Sequence, residues 1–449
     1  MPSSQTTKQY GEAAPPGPMQ RLRRVYDEYP AQFWALILGM FIDRLGGALV
    51  FPFLTLYITK KFGITMTQLG LLIGLFSITN LVGNTLGGAL ADRVGRKVTL
   101  LFGLVVSALT SMLMGWANSI LVLSASLVII GLFADVGGPA AQAMVADLLP
   151  EEKRAQGFGL MRVVANLAVA IGPAIGGVLA VQSYLYLFIG DAITSIITAV
   201  FCLAVLKETR PPSPTSSERE GMLQTLRGYG RAARDRPFVA FVLTTMLVVF
   251  VALQLHTTLS VYLRDVHQIS ERECGYVLSL NATMVVLFQF YVTRHVKGFQ
   301  PFLLLAAGSA LYGLGYALYG FVSSYTLFLA AMVVVTFGEM VFVPAAQALV
   351  ARMSPEDMRG RYMAAYGYSW IIPGIVGPPL IGWIMDNMDP RWAWYAIGLL
   401  GVVATVGFIL LHRRIGHSLA TNRLPQTQPS TARAAPLPSS DAAGCSPPT

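Results

Sequence analysis

Six ionisable residues stand inside long apolar stretches of this chain: Asp43, Arg44, Asp135, Arg162, Asp191 and Glu339. At the centre of a membrane helix each would cost at least ~2.5 kcal/mol unless it faced protein or water, so such residues mark ion pathways and proton relays. The chemistry open to a carboxyl in that position is exchange, because a proton and a cation compete for it. Counting ~1.5 Å per helical residue, Asp43, Asp135 and Glu339 fall in one layer, roughly 12 to 14 Å from the same edge of their stretches. The bland alternative for each is a satisfied hydrogen bond between helices. Asp191 lies nearer the other edge and reads as a capping or interfacial residue. His256, a single imidazole on a long apolar stretch, reads as hydrogen-bonded packing ahead of a proton relay. Gln254, Asn281 and Gln289 are candidates to line the same cavity.

The elements that must position these residues follow from composition. Charged residues make up 12% of the chain and hydrophobic ones 54%, which leaves too little polar surface for a water-facing globule of 449 residues. Lipid is therefore the main solvent. A hydrocarbon core about 30 Å thick needs ~20 apolar residues per helix. Twelve stretches qualify: 33–58, 67–91, 98–117, 120–145, 157–180, 184–206, 238–263, 274–293, 301–322, 325–350, 361–386 and 392–411. Cys202, Cys274 and Cys445 have no partner at metal-ligand spacing. No basic stripe with interleaved aromatics accompanies the net charge of +9, which excludes a nucleic-acid reading.

Charge sets the expected orientation. With both termini on one side, 25 of the 32 lysines and arginines fall on that side, and Lys60, Lys61, Arg264, Arg272 and Arg391 fall on the other. By the positive-inside rule the rich side is cytoplasmic. No cleavable signal is expected, the first helix serving for insertion. The predicted order is a disordered tail (1–30), a six-helix bundle (31–206), a cytoplasmic linker (207–236), a second six-helix bundle (237–412) and a disordered tail (413–449).

The halves repeat. Residues 139–154 and 344–359 share ten identities in sixteen positions at an offset of 205, and Gly172-Pro173 returns as Gly377-Pro378 at the same offset. Asp135 and Glu339 come within one residue of each other under that offset, which predicts an acid on each wall of a central cavity. Two like bundles joined by a linker suit alternating access to a site between them.

Between the second and third stretches stands Gly88-Ala-Leu-Ala-Asp92-Arg93-Val-Gly95-Arg96-Lys97. Gly88 reads as a close-packing position and Gly95 as a turn residue with positive φ. The segment resembles the signature loop of the major facilitator superfamily at every defining position. The resemblance implies that Asp92 latches the bundles by meeting the start of helix eleven near Gly360, and that Arg96 pairs with Asp147. The second half offers Thr293-Arg294-His295-Val296-Lys297-Gly298, which lacks the acid, so no gating role is expected there. Gly172-Pro173-Ala-Ile-Gly176-Gly177 resembles the antiporter motif of drug:proton exchangers in that superfamily. The segment around Glu339 resembles the acid segment of bacterial multidrug transporters, and Arg162 with Asn166 resembles the superfamily's helix-five polar pair.

The resemblance covers roughly 30–415 and implies an all-α, twelve-helix fold in two pseudo-symmetric bundles. The expected function is proton-coupled export of small lipophilic or cationic compounds by a monomeric cell-membrane carrier in contact with lipid, with Glu339 as the coupling acid and Asp43 and Asp135 able to share its role. No nucleotide motif is present, so the ion gradient supplies the drive, and no cofactor or metal is expected. The alternatives are carriage of a specific metabolite and a non-transporting receptor. A membrane enzyme is disfavoured, because no nucleophile motif, His cluster or extramembrane acid pair occurs.

Overall fold

A computed structural model describes residues 26–134, 136–210, 233–296, 298–355 and 358–421. Among the described residues, twelve helices are long and apolar enough to cross a membrane. They are α1 (Ala31–Phe62), α2 (Met66–Arg93), α3 (Arg96–Trp116), α4 (Ile120–Leu148), α5 (Glu151–Gln182), α6 (Tyr184–Val205), α7 (Arg236–Thr257), α8 (Glu271–Val296), α9 (Pro301–Phe321), α10 (Tyr325–Met353), α11 (Arg359–Asn387) and α12 (Arg391–Thr421). Helices prevail because a chain in lipid must satisfy its backbone polar groups internally. Polar residues fix the ends. Thr65 and Gln68 form a reciprocal capping box at α2, while Ser119, Ser183 and Asp235 cap α4, α6 and α7. Gly63 closes α1 in the left-handed conformation.

Three boundaries differ from the expectation. The stretch 238–263 is broken at Thr258, where the hydroxyls of Thr257 and Thr258 donate to the Gln254 side chain and a short helix, Leu259–His267, restarts. In α4 the residues Ile130–Ala134 form a π-helical turn, and Gly83 of α2 fits against the carbonyls of Gly131 and Leu132 there. Finally, α12 runs helical to Thr421, past the expected boundary at 412, whereas the expected tails 1–25 and 422–449 and linker residues 211–232 lie outside the described residues.

Helices α1–α6 pack as one bundle, with α1 on α5 and α6 and α3 on α6, and α7–α12 as another, with α9 on α10 and α12 and α7 on α11 and α12. Between the bundles α2 meets α11 and α5 meets α8. One end of the molecule, the basic end, bears Gly95, Pro150 and Gly298, and the opposite, outer end bears Lys60 and Asp386.

The antiporter-like glycines of α5 explain the close crossing. Cβ atoms at Gly172 and Gly176 would collide with α1 backbone, one at Gly177 would lie 2.9 Å from the Glu271 carbonyl oxygen, and Gly275 of α8 faces the Pro173 carbonyl. These contacts lie in the outer half, as do those of Gly74 with Ile375 and Gly382 with Met66. Towards the basic end, Gly88, Gly159 and Gly367 meet nothing within 4 Å. The expected close packing at Gly88 is therefore corrected: the face of α2 that packs on α4 is the one bearing Gly83 and Gly87, and Gly88, on another face, points into open space.

Candidate transport site

The first bundle is hollow. Its apolar core divides into a cluster near the basic end, around Phe33, Leu36 and Met144, and one near the outer end, around Phe53, Leu56 and Phe188. Between them runs a cavity of about 590 Å³, closed on the far side by Leu253, His256 and Thr257 of α7 and Gly374 and Pro378 of α11. Its walls are largely apolar, with Phe51, Leu54, Phe76 and Leu104 prominent, and three charged residues converge on it: Asp43, Arg44 and Asp191.

Helix geometry brings them together. Asp43 and Arg44 are neighbours on α1, and Asp191 on α6 faces α1 because Gly46 leaves no side chain in the way; a Cβ there would press on Thr194 and Asp191. Asp43 accepts a hydrogen bond from Ser195 Oγ at 3.3 Å, and Asp191 accepts one from Ser111 Oγ of α3. Asp191 is buried, with 5% of its surface exposed. The capping or interfacial reading of Asp191 is thereby corrected: two turns into α6, its side chain turns inward onto Ser111 of α3 and the cavity. At the outer end of the cavity Thr55 Oγ1 and His256 Nδ1 are buried without a hydrogen-bond partner among the described residues, and the His256 ring lies 5.7 Å from that of Phe51 across the bundles. Of the polar candidates in the second half, His256 alone reaches this cavity. Gln254 is fully buried and turned onto Phe250, Thr257 and Thr258.

Glu339 occupies a different place. It accepts from Asn281 Nδ2 at 2.9 Å, and Asn281 also donates to Thr336, tying α8 to α10 inside the second bundle. Gln289 donates to the Met340 carbonyl nearby. Arg162 of α5 reaches across the bundles to Gln347 at 2.8 Å, and Asn166 lies one turn further along α5, partly exposed. Asp43 and Glu339 therefore do not face one another across a single cavity, and Asp135 lies outside the described residues.

At the basic end Arg96 Nε stands 2.7 Å from Asp147 Oδ2 and its Nη1 3.2 Å from Asp92. Gly95 has φ +128°, a conformation that admits glycine far more readily than other residues. A carboxylate not singled out in the sequence completes this loop. Glu208, just past α6, accepts from the backbone N–H groups of Arg96 and Lys97 at the start of α3. Burial pushes its carboxyl up, but the N–H groups of Arg210, Arg96, Lys97 and Thr209 outweigh that and hold it below the usual carboxylate range. Lys97 Nζ donates to the Leu203 carbonyl and Arg210 to that of Arg93. The Asp92 side chain is 72% exposed, and no ion pair joins it to α11 among the described residues.

The outer end is closed. Lys60 of α1 pairs with Glu271 of α8 at 3.0 Å, Arg264 donates to the Leu56 carbonyl, and Asp386 at the end of α11 accepts from the N–H groups of Met66 and Thr67 at the start of α2 at 2.9 and 2.7 Å. Ion pairs and hydrogen bonds thus tie the bundles together at the outer end, while towards the basic end Arg162 and Gln347 join them.

The family profile of the Major Facilitator Superfamily matches residues 36–340 and, in a second overlapping match, 302–439. The chain belongs to the major facilitator superfamily. Within the superfamily it is 29% identical over 407 residues to a Na(+), Li(+), K(+)/H(+) antiporter of Planococcus maritimus, covering 84% of this chain and 94% of the relative. It is 25% identical over 377 residues to the quinolone resistance protein NorA of Staphylococcus aureus, covering 83% and 95%. A POT family transporter solved with 5-aminolevulinic acid superposes with a TM-score of 0.73 at 15% identity, over 87% of this chain and 97% of that one. A bacterial homologue of the human lysosomal transporter Spinster gives 0.69 at 16% identity, over 88% and 98%. These likenesses show a shared fold.

Proposed function

We propose that this superfamily member exports small lipophilic or cationic compounds in exchange for protons, with the basic end cytoplasmic and the conformation described here open to the cytoplasm. The observation that carries the reading is the hollow first bundle, in which two carboxylates, Asp43 and Asp191, outnumber the single cation Arg44 at a largely apolar cavity. An apolar wall takes up a lipophilic body and a buried carboxylate selects positive charge. A proton on the same carboxylate removes that attraction, so proton and substrate oppose each other's occupancy, which is the minimum that antiport requires. Glu339, already held by Asn281, serves as an auxiliary acid coupled to the movement of α8 against α10. The Asp92 latch acts in the alternate conformation, when the basic end closes.

The 25 to 5 division of Lys and Arg supports the orientation. Modification of a cysteine introduced at residue 220 by an impermeant thiol reagent, applied outside whole cells, would overturn it. The transport reading is tested in proteoliposomes by imposing a pH gradient and following lipophilic cations and neutral drugs. Failure of every compound to accumulate against its gradient would sink it.

Exchange of alkali cations for protons is a second reading. The oxygen-rich grouping of Asp43, Asp191, Ser111 and Ser195 favours it, since hard cations take oxygen ligands, and so does the 29% identical antiporter. Sodium-driven proton movement in the same vesicles, without any organic substrate, separates the two.

A further inference from the structure

The two halves handle the charge of their basic-end loops differently. In the first, Arg96 is neutralised by Asp147. Under the 205-residue offset the position of Asp147 becomes Arg352, so the second half has an arginine where the first has its counter-charge. The second loop keeps its own basic residue, Arg294 at the end of α8. Arg294 and Arg352 line one cavity of about 590 Å³ between α8, α9 and α10. No acidic residue lines it, and neither arginine forms an ion pair among the described residues. Lys297, Glu356 and Asp357 lie outside the described residues.

The rest of the lining is apolar and turned towards lipid: Phe290 is 79% exposed and Phe299 64%, with Leu304 and Val341 behind them. Thr293 adds a polar edge. Its Oγ accepts from Gln289, which leaves the hydroxyl hydrogen to donate. Two guanidinium forks and a hydroxyl at the mouth of a greasy cleft, within the last turns of two membrane helices, match a phosphodiester with hydrocarbon attached. Guanidinium meets phosphate oxygens in pairs, and the apolar walls accept acyl chains.

We infer that this cleft binds the headgroup of an acidic phospholipid from the leaflet at the basic end, the lipid phosphate standing where the first half uses Asp147. The lipid is a structural ligand of the second bundle, separate from the transported solute, so the inference holds whatever the substrate.

Delipidated wild-type protein titrated with phosphatidylglycerol and, separately, phosphatidylcholine, and read by native mass spectrometry, is expected to retain one phosphatidylglycerol about tenfold more strongly than phosphatidylcholine. The Arg294→Gln/Arg352→Gln variant should retain the two lipids equally, and Arg294→Lys/Arg352→Lys should keep part of the preference. Each single variant is measured alongside in case the double one does not fold. Arg413→Gln/Arg414→Gln, which removes the same charge elsewhere at the basic end, should leave the preference intact. Equal retention of both lipids by the wild type, equal loss in the Arg413/Arg414 variant, or displacement of the lipid by millimolar inorganic phosphate would each overturn the assignment.

Discussion

The two bundles come from one repeated plan and are filled in opposite ways. The first has its core split in two by a cavity carrying Asp43, Arg44 and Asp191. The second has one continuous core, in which Tyr262, Tyr316, Tyr319 and Trp394 pack ring on ring with Phe328, and its partly buried acid, Glu339, is tied to Asn281. Close packing makes a bundle stiff and volume makes it receptive. On the proposed reading, recognition falls mainly to the first bundle and the second is the rigid body against which it rocks.

The sharpest way to break this comparison is to exchange the roles of the acids. One charge moving through 100 mV is worth about 2.3 kcal/mol, roughly fifty-fold accumulation. Asp43→Asn should take uphill accumulation from that range to unity while downhill equilibration survives. Glu339→Gln, which can still accept from Asn281, should stay within about threefold of wild type, as expected for one modest hydrogen bond. Vesicle flux under an imposed pH gradient measures both, and the reverse ranking would move the coupling site into the second bundle.

Packing offers the next test. Trp394→Ala empties a sealed core and should cost about 3 to 5 kcal/mol, whereas Leu104→Ala borders volume already open and should cost about 2 kcal/mol or less. Unfolding of the purified variants in detergent gives the order. Equal losses would mean that the first bundle is as tightly filled as the second.

The outer clasp should respond more gently. Asp386→Ala removes hydrogen bonds to a charged acceptor, worth about 1.5 to 3 kcal/mol, so outward opening should rise by about tenfold or more. Labelling of Thr55→Cys by an impermeant reagent from the outer side reports it, and an unchanged rate would remove Asp386 from the gate.

The smallest effect belongs to Glu208. Its carboxyl titrates below the ordinary range of about 4.3, so the stability it adds is fully present above that value and is lost as pH falls through the lower folded-state one. Stability should be flat from pH 8 to about 5 on this account, and Glu208→Gln should cost at most about 1 kcal/mol at pH 7. A large pH dependence near neutrality that the variant abolishes would contradict the geometry.

Hydropathy made the twelve spans legible, because an apolar run of membrane length has few alternatives. The breaks were not: the π turn after Ile129 and the interruption at Thr258 come from local side-chain and interhelical packing that no window average contains. The ionisable candidates were visible as intrusions in apolar sequence, but their grouping was not. Depth along a helix placed Asp43 and Glu339 in one layer, whereas rotation about the helix axes decides which cavity each faces, and that depends on neighbours such as Gly46 and Asn281. Asp191 was misjudged on depth alone. Glu208 looked like linker charge, since only the folded loop brings the start of α3 to it.

The seams between the bundles also bear on how a substrate would reach the cavity. Between α2 and α11, and between α5 and α8, the close glycine contacts lie in the outer half, and on the proposed reading the seams at the basic end would lead from the adjacent leaflet to the cavity. A solute dissolved in that leaflet would then enter sideways without returning to water. Its strength as a substrate, referred to aqueous concentration, then contains its own partition coefficient, and a thousandfold preference for lipid is equivalent to about 4 kcal/mol of apparent affinity. Two compounds making identical contacts in the cavity would rank by lipid solubility alone.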